Sequence, residues 1–432
     1  MKYYSTNRKC NPATLAEAVI RGLAPDRGLY MPERIGVLPE SFFDGIGDMS
    51  LSEISCRVAD ELFGEDVPAG DLHRIVTETL SFPIPLRQVA PDIYALELYH
   101  GPTAAFKDVG ARFMARMLSY FISREGGSEP VTVLVATSGD TGSAVANGFY
   151  GVEGIDVAVL YPRGKVSPLQ EKQFATLGGN ITAIEIDGSF DDCQRLVKSA
   201  FMDPDLTARM RLTSANSINV ARFLPQSFYY FGAYASLRRA GCGDAPVISV
   251  PSGNFGNLAA GLIAHRMGLP VRRFIAANNR NKVFCDYLAS GSYQPRSSVA
   301  TIANAMDVGD PSNFARIADL YGNDVERIRG DISASFYDDS QIEQAIGEVY
   351  RQYGYVMDPH GACGHMALKD TGLGGPGIFL ETAHPAKFAE RVEPIVGKVA
   401  MPPALERFAA RTKNSIPLSA EFDDFKEYLL SR

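Results

Sequence analysis

The chain has 432 residues, 46% hydrophobic and 21% charged, with a net charge of −8, which is enough apolar material for two or three cored domains and argues against disorder. An acidic balance without a long Lys/Arg block argues against nucleic-acid binding, since a phosphate backbone needs a concentrated basic face. Apolar runs such as Val131 to Ala136 are too short to span a bilayer, and Met1 to Asn7 lacks the apolar core of a signal peptide. The expectation is therefore a cytoplasmic protein with no membrane partner.

In chain order, the stretch from residue 1 to 92 is irregular and punctuated by proline, with helices expected at Leu15 to Arg21 and Leu51 to Phe63; it reads as a capping subdomain. From Ile93 onward short apolar strands alternate with helical periodicity, the pattern of a parallel sheet with crossover helices. The expected strands are Tyr94 to Leu98, Val131 to Ala136, Val157 to Tyr161, Thr182 to Ile186, Val247 to Val250, Arg273 to Ala276 and Gly377 to Glu381. Val109, Phe113, Met117 and Phe121 lie on one face of a helix that begins just after Lys107. Ser167 and Pro168 read as N-cap and first position of a helix ending near Gly178-Gly179, and Glu421 to Leu430 reads as a final surface helix. The six cysteines are scattered with no Cys-x-x-Cys, so reduced thiols are expected.

Chemistry concentrates in four places. Lys107 stands in Gly101-Pro102-Thr103-Ala104-Ala105-Phe106-Lys107-Asp108 at a helix N-terminus. A lysine there is a candidate imine former, although most lysines are solvated charges and Asp108 alone would explain a helix start. The turn Thr137-Ser138-Gly139-Asp140-Thr141-Gly142 follows a strand and precedes a helix, leaving amides and hydroxyls for a carboxylate; an ordinary strand-to-helix turn uses the same residues. Pro251-Ser252-Gly253-Asn254-Phe255-Gly256-Asn257 repeats the context and suits a phosphate. Neither a Walker lysine nor a complete Gly-x-Gly-x-x-Gly is present, which argues against nucleoside triphosphates and dinucleotides. Asn216, Ser217, Asn219 and Arg222 cluster as neutral donors beside a guanidinium able to fork onto phosphate oxygens, or as a helix cap followed by a surface arginine.

Other conspicuous residues carry less. His360 to His365 reads as a helix start after Asp358-Pro359, and no metal is assigned. The aromatic run Phe228, Tyr229, Tyr230, Phe231 and Tyr234 reads as a helix packed on a sheet. His384 reads equally as part of a ligand pocket or as a structural histidine.

Together with Tyr3-Tyr4-Ser5-Thr6, Gly22 to Pro32 and Leu380-Glu381-Thr382-Ala383-His384-Pro385, these segments resemble the threonine synthase family, in its long microbial form, within the fold-type II pyridoxal 5′-phosphate enzymes. The resemblance covers most of the chain. It implies two open, mostly parallel α/β domains with the cofactor in the cleft between them and an N-terminal capping subdomain. The divisions are 1–92, then 93–107 with 214–432 as the larger unit, and 108–213 as the smaller.

The same resemblance implies that Lys107 bonds pyridoxal phosphate and later moves protons. Ser252, Gly253, Asn254, Phe255, Gly256 and Asn257 would hold its phosphate, Asp140 would lie near its phenolic oxygen, and Thr382 would face its ring nitrogen. Many relatives have Asn where Asp140 stands, and an aspartate there needs a proton or a neighbouring cation. Ser138, Gly139 and Thr141 would take the substrate carboxylate; Asn216, Ser217, Asn219 and Arg222 would take the substrate's own phosphate. The implied reaction turns O-phospho-L-homoserine and water into L-threonine and phosphate, with a monomer favoured over a dimer. A phospho-lyase releasing a 2-oxo acid would use the same pockets. A non-catalytic phosphate- or nucleotide-binding module would need no reactive lysine.

Overall fold

The computed structural model describes residues 1–125, 130–372 and 374–431. β1 (Tyr3–Ser5) and β2 (Tyr30–Pro32) pair antiparallel near the N-terminus. The remaining strands are β3 (Leu86–Ala90), β4 (Ile93–Glu97), β5 (Val131–Ala136), β6 (Ile155–Pro162), β7 (Ile181–Asp187), β8 (Arg211–Ser214), β9 (Val247–Pro251), β10 (Arg273–Asn278), β11 (Ile332–Phe336), β12 (Gly377–Glu381) and β13 (Ile416–Ser419). They form two sheets, in the orders β11-β10-β9-β12-β4-β3 and β13-β7-β6-β5-β8. Every neighbouring pair is parallel except β3 with β4.

This is the α/β fold that the alternating pattern predicts, with the two mostly parallel sheets that the resemblance implies. All seven expected strands form, the first of them one residue early. Periodicity misses β3, β8, β11 and β13, which are four or five residues long and only partly buried. β3 precedes residue 93 yet edges the larger sheet, and β13, from the C-terminal tail, pairs with β7 in the smaller one.

The helix Lys107–Glu125 buries Val109, Phe113, Met117 and Phe121, as the stripe predicts. Capping boxes at Thr14/Glu17 and Ser50/Glu53 start the helices Leu15–Arg21 and Leu51–Phe63. Glu40–Gly45 and Ala69–Thr79 are also helical; their first turns start after proline with no side-chain cap, so the cap signal that marks the other two is missing. Ser167 caps the helix Pro168–Ala175, which ends before the expected Gly178-Gly179. The two glycines instead take left-handed conformations, and the Ile181 amide closes a turn onto the Gly178 carbonyl, leading into β7.

One apolar core joins the N-terminal segment to the helices Lys107–Glu125, Ser227–Arg239 and Gly256–Arg266; the aromatic run of Phe228 to Phe231 is wholly inside it. Two further cores cover the outer faces of the two sheets. Among the described residues no helix is long and apolar enough to cross a membrane. The C-terminal ends of β4, β9 and β12 share one edge of their sheet, and those of β5 and β8 share one edge of theirs, the edges at which open parallel sheets place ligands.

Close approach of the helix Lys107–Glu125 to Arg222 depends on Gly110, where a Cβ would sit 2.4 Å from the Arg222 carbonyl oxygen. Gly110→Ala gains about 1 kcal/mol of helix propensity, but a backbone oxygen cannot rotate away from the new methyl. The expected net result is a loss of about 1–3 kcal/mol, read as a lower urea midpoint at unchanged slope.

Candidate active site

The segment between β4 and Lys107 is stitched to the segment leaving β12. Ala105 and Ala383 form an isolated antiparallel bridge, the Phe106 amide donates to the Thr382 carbonyl at 2.8 Å, and the His384 amide donates to the Ala104 carbonyl at 3.1 Å. Ala104 accepts a left-handed φ of 53° to make the crossing and is fully buried. These bonds bring Lys107 and Thr382 together at the start of the helix Lys107–Glu125. The Lys107 ammonium makes no hydrogen bond or ion pair among the described residues, and its pKa is pushed down to about 8. Burial is the largest cause; Asp140 opposes it, while Arg222 and Lys387 add to it.

Two glycine turns follow β9 and β5, and the second brings Asp140 to this amine. After β9, Phe255 takes a left-handed φ of 61° and the helix Gly256–Arg266 begins with no side-chain cap. The amides of residues 253–257 donate to no group of the chain among the described residues, so this helix start is open to an anion. Ser252 and Asn257 are not free: the Ser252 hydroxyl donates to the Val250 carbonyl and the Asn257 side chain donates to the Pro251 carbonyl, both at 2.8 Å. They shape the loop, and the anion would meet backbone.

After β5, the Thr137 hydroxyl accepts from the amides of Gly139 and Gly142 at 2.9 and 2.8 Å and folds the turn. Gly139 has φ 146°, a conformation closed to side chains, and a Cβ there would strike Gln170. The hydroxyls of Ser138 and Thr141 remain without partners among the described residues, beside the uncapped start of the helix Asp140–Phe149.

Asp140 is buried and ionised. Its Oδ1 lies 2.5 Å from Lys387 Nζ and accepts from Gln170 Nε2 at 2.9 Å. Burial alone would raise its pKa, but Lys387, Lys107 and Gln170 together hold it down at about 2. The cation that an aspartate needs at this position is thus supplied by Lys387, which sequence reasoning missed although it lies three residues beyond His384 in an apolar stretch.

The cluster of residues 216–222 divides. Arg222 is 3% exposed, and its Nε and Nη1 find no partner among the described residues; burial pushes its pKa down to about 10, with Asp108 opposing. Asn216 Oδ1 is likewise buried and unpartnered. Ser217 belongs to the β9 loop as much as to its own, because its hydroxyl accepts from Asn254 Nδ2 at 2.7 Å and from Asn313 Nδ2 at 3.1 Å. Asn219 is turned elsewhere: its amide donates to the Val19 carbonyl at 2.8 Å and its oxygen caps the helix Val220–Phe223 through Ala221.

Arg316, also missed, is fully buried with no carboxylate partner among the described residues. It holds the Ser217, Ile218 and Tyr30 carbonyls and lies 3.8 Å over the Phe223 ring. Arg316 thus spends its donors on the backbone, whereas Arg222 keeps donors free among the described residues and is the guanidinium able to take an anion.

Behind β12 a buried network fixes the Thr382 segment. Asp358 caps the helix Pro359–Thr371, accepts from the Ala383 amide, and meets His360 Nδ1 at 2.5 Å. His360 Nε2 accepts from the Ala305 amide at 3.2 Å, which assigns the ring proton to Nδ1. His384 is a neutral cap: its Nδ1 accepts from the Ala386 amide, and burial lowers its pKa to about 4.

A lysine of low pKa, the open helix start after β9 and a Thr382 hydroxyl, lysine and hydroxyl both unpaired among the described residues, fit pyridoxal phosphate. The donor set matches an aldehyde, a phosphate and a ring nitrogen in turn.

Comparison with known proteins agrees with this fit. The family described as pyridoxal-phosphate dependent enzyme matches residues 71–378, the threonine synthase N terminus matches residues 2–80, and the threonine synthase C-terminal region matches residues 361–429. The chain is 44% identical to the threonine synthase of Serratia marcescens over 100% of this chain and 99% of that one. It superposes on the crystal structure of threonine synthase from Escherichia coli with TM-score 0.92 at 42% identity, covering 100% of both chains. For the PLP-bound threonine synthase from Brucella melitensis the TM-score is 0.93 at 35% identity, covering 99% of this chain and 98% of that one.

Replacing Arg222 with Met removes a desolvated cation and keeps the volume. Arg222→Met is expected to stabilise the ligand-free protein by about 1–3 kcal/mol while shrinking the rise in Tm that inorganic phosphate produces in the parent. Thermal melts with and without phosphate read both effects; a variant less stable and equally responsive to phosphate would contradict the assignment.

Proposed function

The chain belongs to the threonine synthase family of pyridoxal-phosphate-dependent enzymes, and on that premise we propose that it converts O-phospho-L-homoserine and water into L-threonine and phosphate. The observation that carries this reading is the pairing of Lys107 with a second anion pocket around Arg222, which an enzyme acting on an unphosphorylated amino acid would not need. Lys107 is the attachment point, and the amides of Gly253 to Asn257 hold the cofactor phosphate against the dipole of the helix Gly256–Arg266. Bound there, pyridoxal phosphate supplies an electron sink for the carbon that bears the substrate amine.

The chain's own residues do the rest. Ser138, Thr141 and the amides beside Gly139 take the substrate carboxylate and orient the α C–H bond. Lys107 Nζ, kept by burial from holding its proton tightly, takes the α proton once it is free. Arg222 and Asn216 hold the phosphate on the γ carbon, and Arg222 offsets the charge that develops on it as the γ C–O bond breaks. A hydroxyl at Thr382, unlike a carboxylate, does not hold the ring nitrogen protonated, so placement of the reacting bonds matters more. Water then contributes OH to the β carbon, and the proton balance closes with threonine and free phosphate.

We also infer a cytoplasmic enzyme that works as a monomer, with the cleft lying between a unit of residues 108–213 and a unit of 93–107 with 214–432. β13 is the part of the latter that reaches across to the smaller sheet.

Turnover of O-phospho-L-homoserine should release threonine and phosphate in equal amounts, and Lys107→Ala should lower it by roughly 10²–10⁴-fold or more. Phosphate accompanied by a 2-oxo acid would instead identify a phospho-lyase, and an unchanged Lys107→Ala variant would overturn the assignment of the amine.

A further inference from the structure

The cleft holds a second buried amine. Lys387 lies on the short helical turn Pro385–Phe388 directly after β12, and its side chain has no exposure. Its Nζ bonds the Thr103 carbonyl at 2.9 Å and Asp140 Oδ1 at 2.5 Å. Gln170, whose backbone carbonyl also receives the Ser143 hydroxyl, delivers Nε2 to the same oxygen. Asp140 therefore spends Oδ1 on two donors and keeps Oδ2 without a partner among the described residues.

The charges facing these groups are few. Lys107 feels Asp140, Arg222 and Lys387; Asp140 feels Lys387 and Lys107; Lys387 also faces Asp108 and His384. Asp108 is engaged by the Thr103 hydroxyl and amide at 2.6 and 2.9 Å, and His384 is neutral. A carboxylate buried this deeply must take the best-placed cation. With Lys387 in place, that cation is Lys387. Without it, the cation left facing Asp140 is Lys107, and a lysine held as an ammonium is no nucleophile.

We propose that Lys387 is a positioning residue that ties down Asp140 and so leaves the Lys107 amine free to take the cofactor. The Asp140–Lys387 pair then serves as one neutral unit at a position where a lone carboxylate would capture the reactive lysine. The proposal rests on Lys107 being the attachment point, and it concerns what the chain does to that amine before any substrate arrives.

The test uses cofactor-free full-length protein and pyridoxal phosphate as probe. The adduct, formed with loss of one water, is trapped by borohydride, which adds hydride across the new C=N bond; peptide mapping locates it and its initial rate is followed against pH. The parent should label Lys107 with a midpoint near pH 8. Lys387→Met should move that midpoint up by about one pH unit or more, Asp140→Asn should move it down, and the double variant should return toward the parent. Lys387→Arg, which keeps the charge, should stay closer to the parent than Lys387→Met.

A Lys387→Met midpoint equal to the parent's, or a double variant no better than Lys387→Met, would overturn the proposal. If Lys387→Met does not fold, Asp140→Asn carries the test alone: a lowered midpoint supports it and an unmoved one sinks it. Labelling that misses Lys107 altogether would instead defeat the proposed attachment, a separate result from a midpoint that fails to move.

Discussion

The cleft depends on one short backbone crossing, in which residues 104–106 bridge to 382–384. Parallel strands β4 and β12 run in register from Ile93 and Gly377 to Glu97 and Glu381, so their exits are already neighbours. After β4 the chain loops through residues 98–103 and returns antiparallel to the β12 exit, where the bridge pins it. That fixes the helix start at Lys107 against Thr382 through backbone, which no side-chain rearrangement can undo. Asp358 reinforces it from behind by accepting the Ala383 amide.

Around that crossing the electrostatics run against stability. The chain is acidic overall, yet among the described residues no carboxylate is bonded to the cations Lys107, Arg222 and Arg316, and burial lowers the pKa of each. Arg316 offsets its desolvation through backbone carbonyls, whereas Arg222, with unpartnered donors among the described residues, costs the folded state free energy that an anionic ligand can return. Asp140 is the opposite case, a carboxylate kept charged by a lysine and an amide. The site is assembled from groups that an unliganded fold would do better without, a local conflict of the kind expected where binding and chemistry are placed.

What the sequence made legible is what local spacing controls. The stripe of Val109, Phe113, Met117 and Phe121, the Ser167-Pro168 helix start and the strand-glycine-helix order of the two anion turns all rest on contacts within a few residues. Lys387 was not legible, because its partner Thr103 lies 284 residues away in sequence and nothing nearby marks a lysine as buried. Arg316 escaped for the same reason, reaching Tyr30 across 286 residues. Asn219 was read with the phosphate cluster by proximity in sequence, whereas its amide faces the opposite way, toward Val19. Short strands such as β11 and β13 left no alternation long enough to see.

Those long-range bonds give the N-terminal segment a place in the site rather than beside it. The loop from Ser214 to Arg222 is gripped from below at two points: Asn219 bonds the carbonyl of Val19 at the end of the first helix, and Arg316 links the carbonyl of Tyr30 on β2 to those of Ser217 and Ile218. Ser217 passes the constraint to Asn254, and so to the loop after β9. The two anion pockets therefore share a wall, and that wall is anchored in the first 32 residues of the chain. Arg316 does this by reaching four acceptors, the Ser217, Ile218 and Tyr30 carbonyls and Asn313 Oδ1, from one planar group, which a lysine, with a single point of charge, could not span. A cap that only covered the core would need apolar contacts alone; one that sets the spacing between the loop of residues 214–222 and the loop after β9 needs directional bonds, and those are what the structure has.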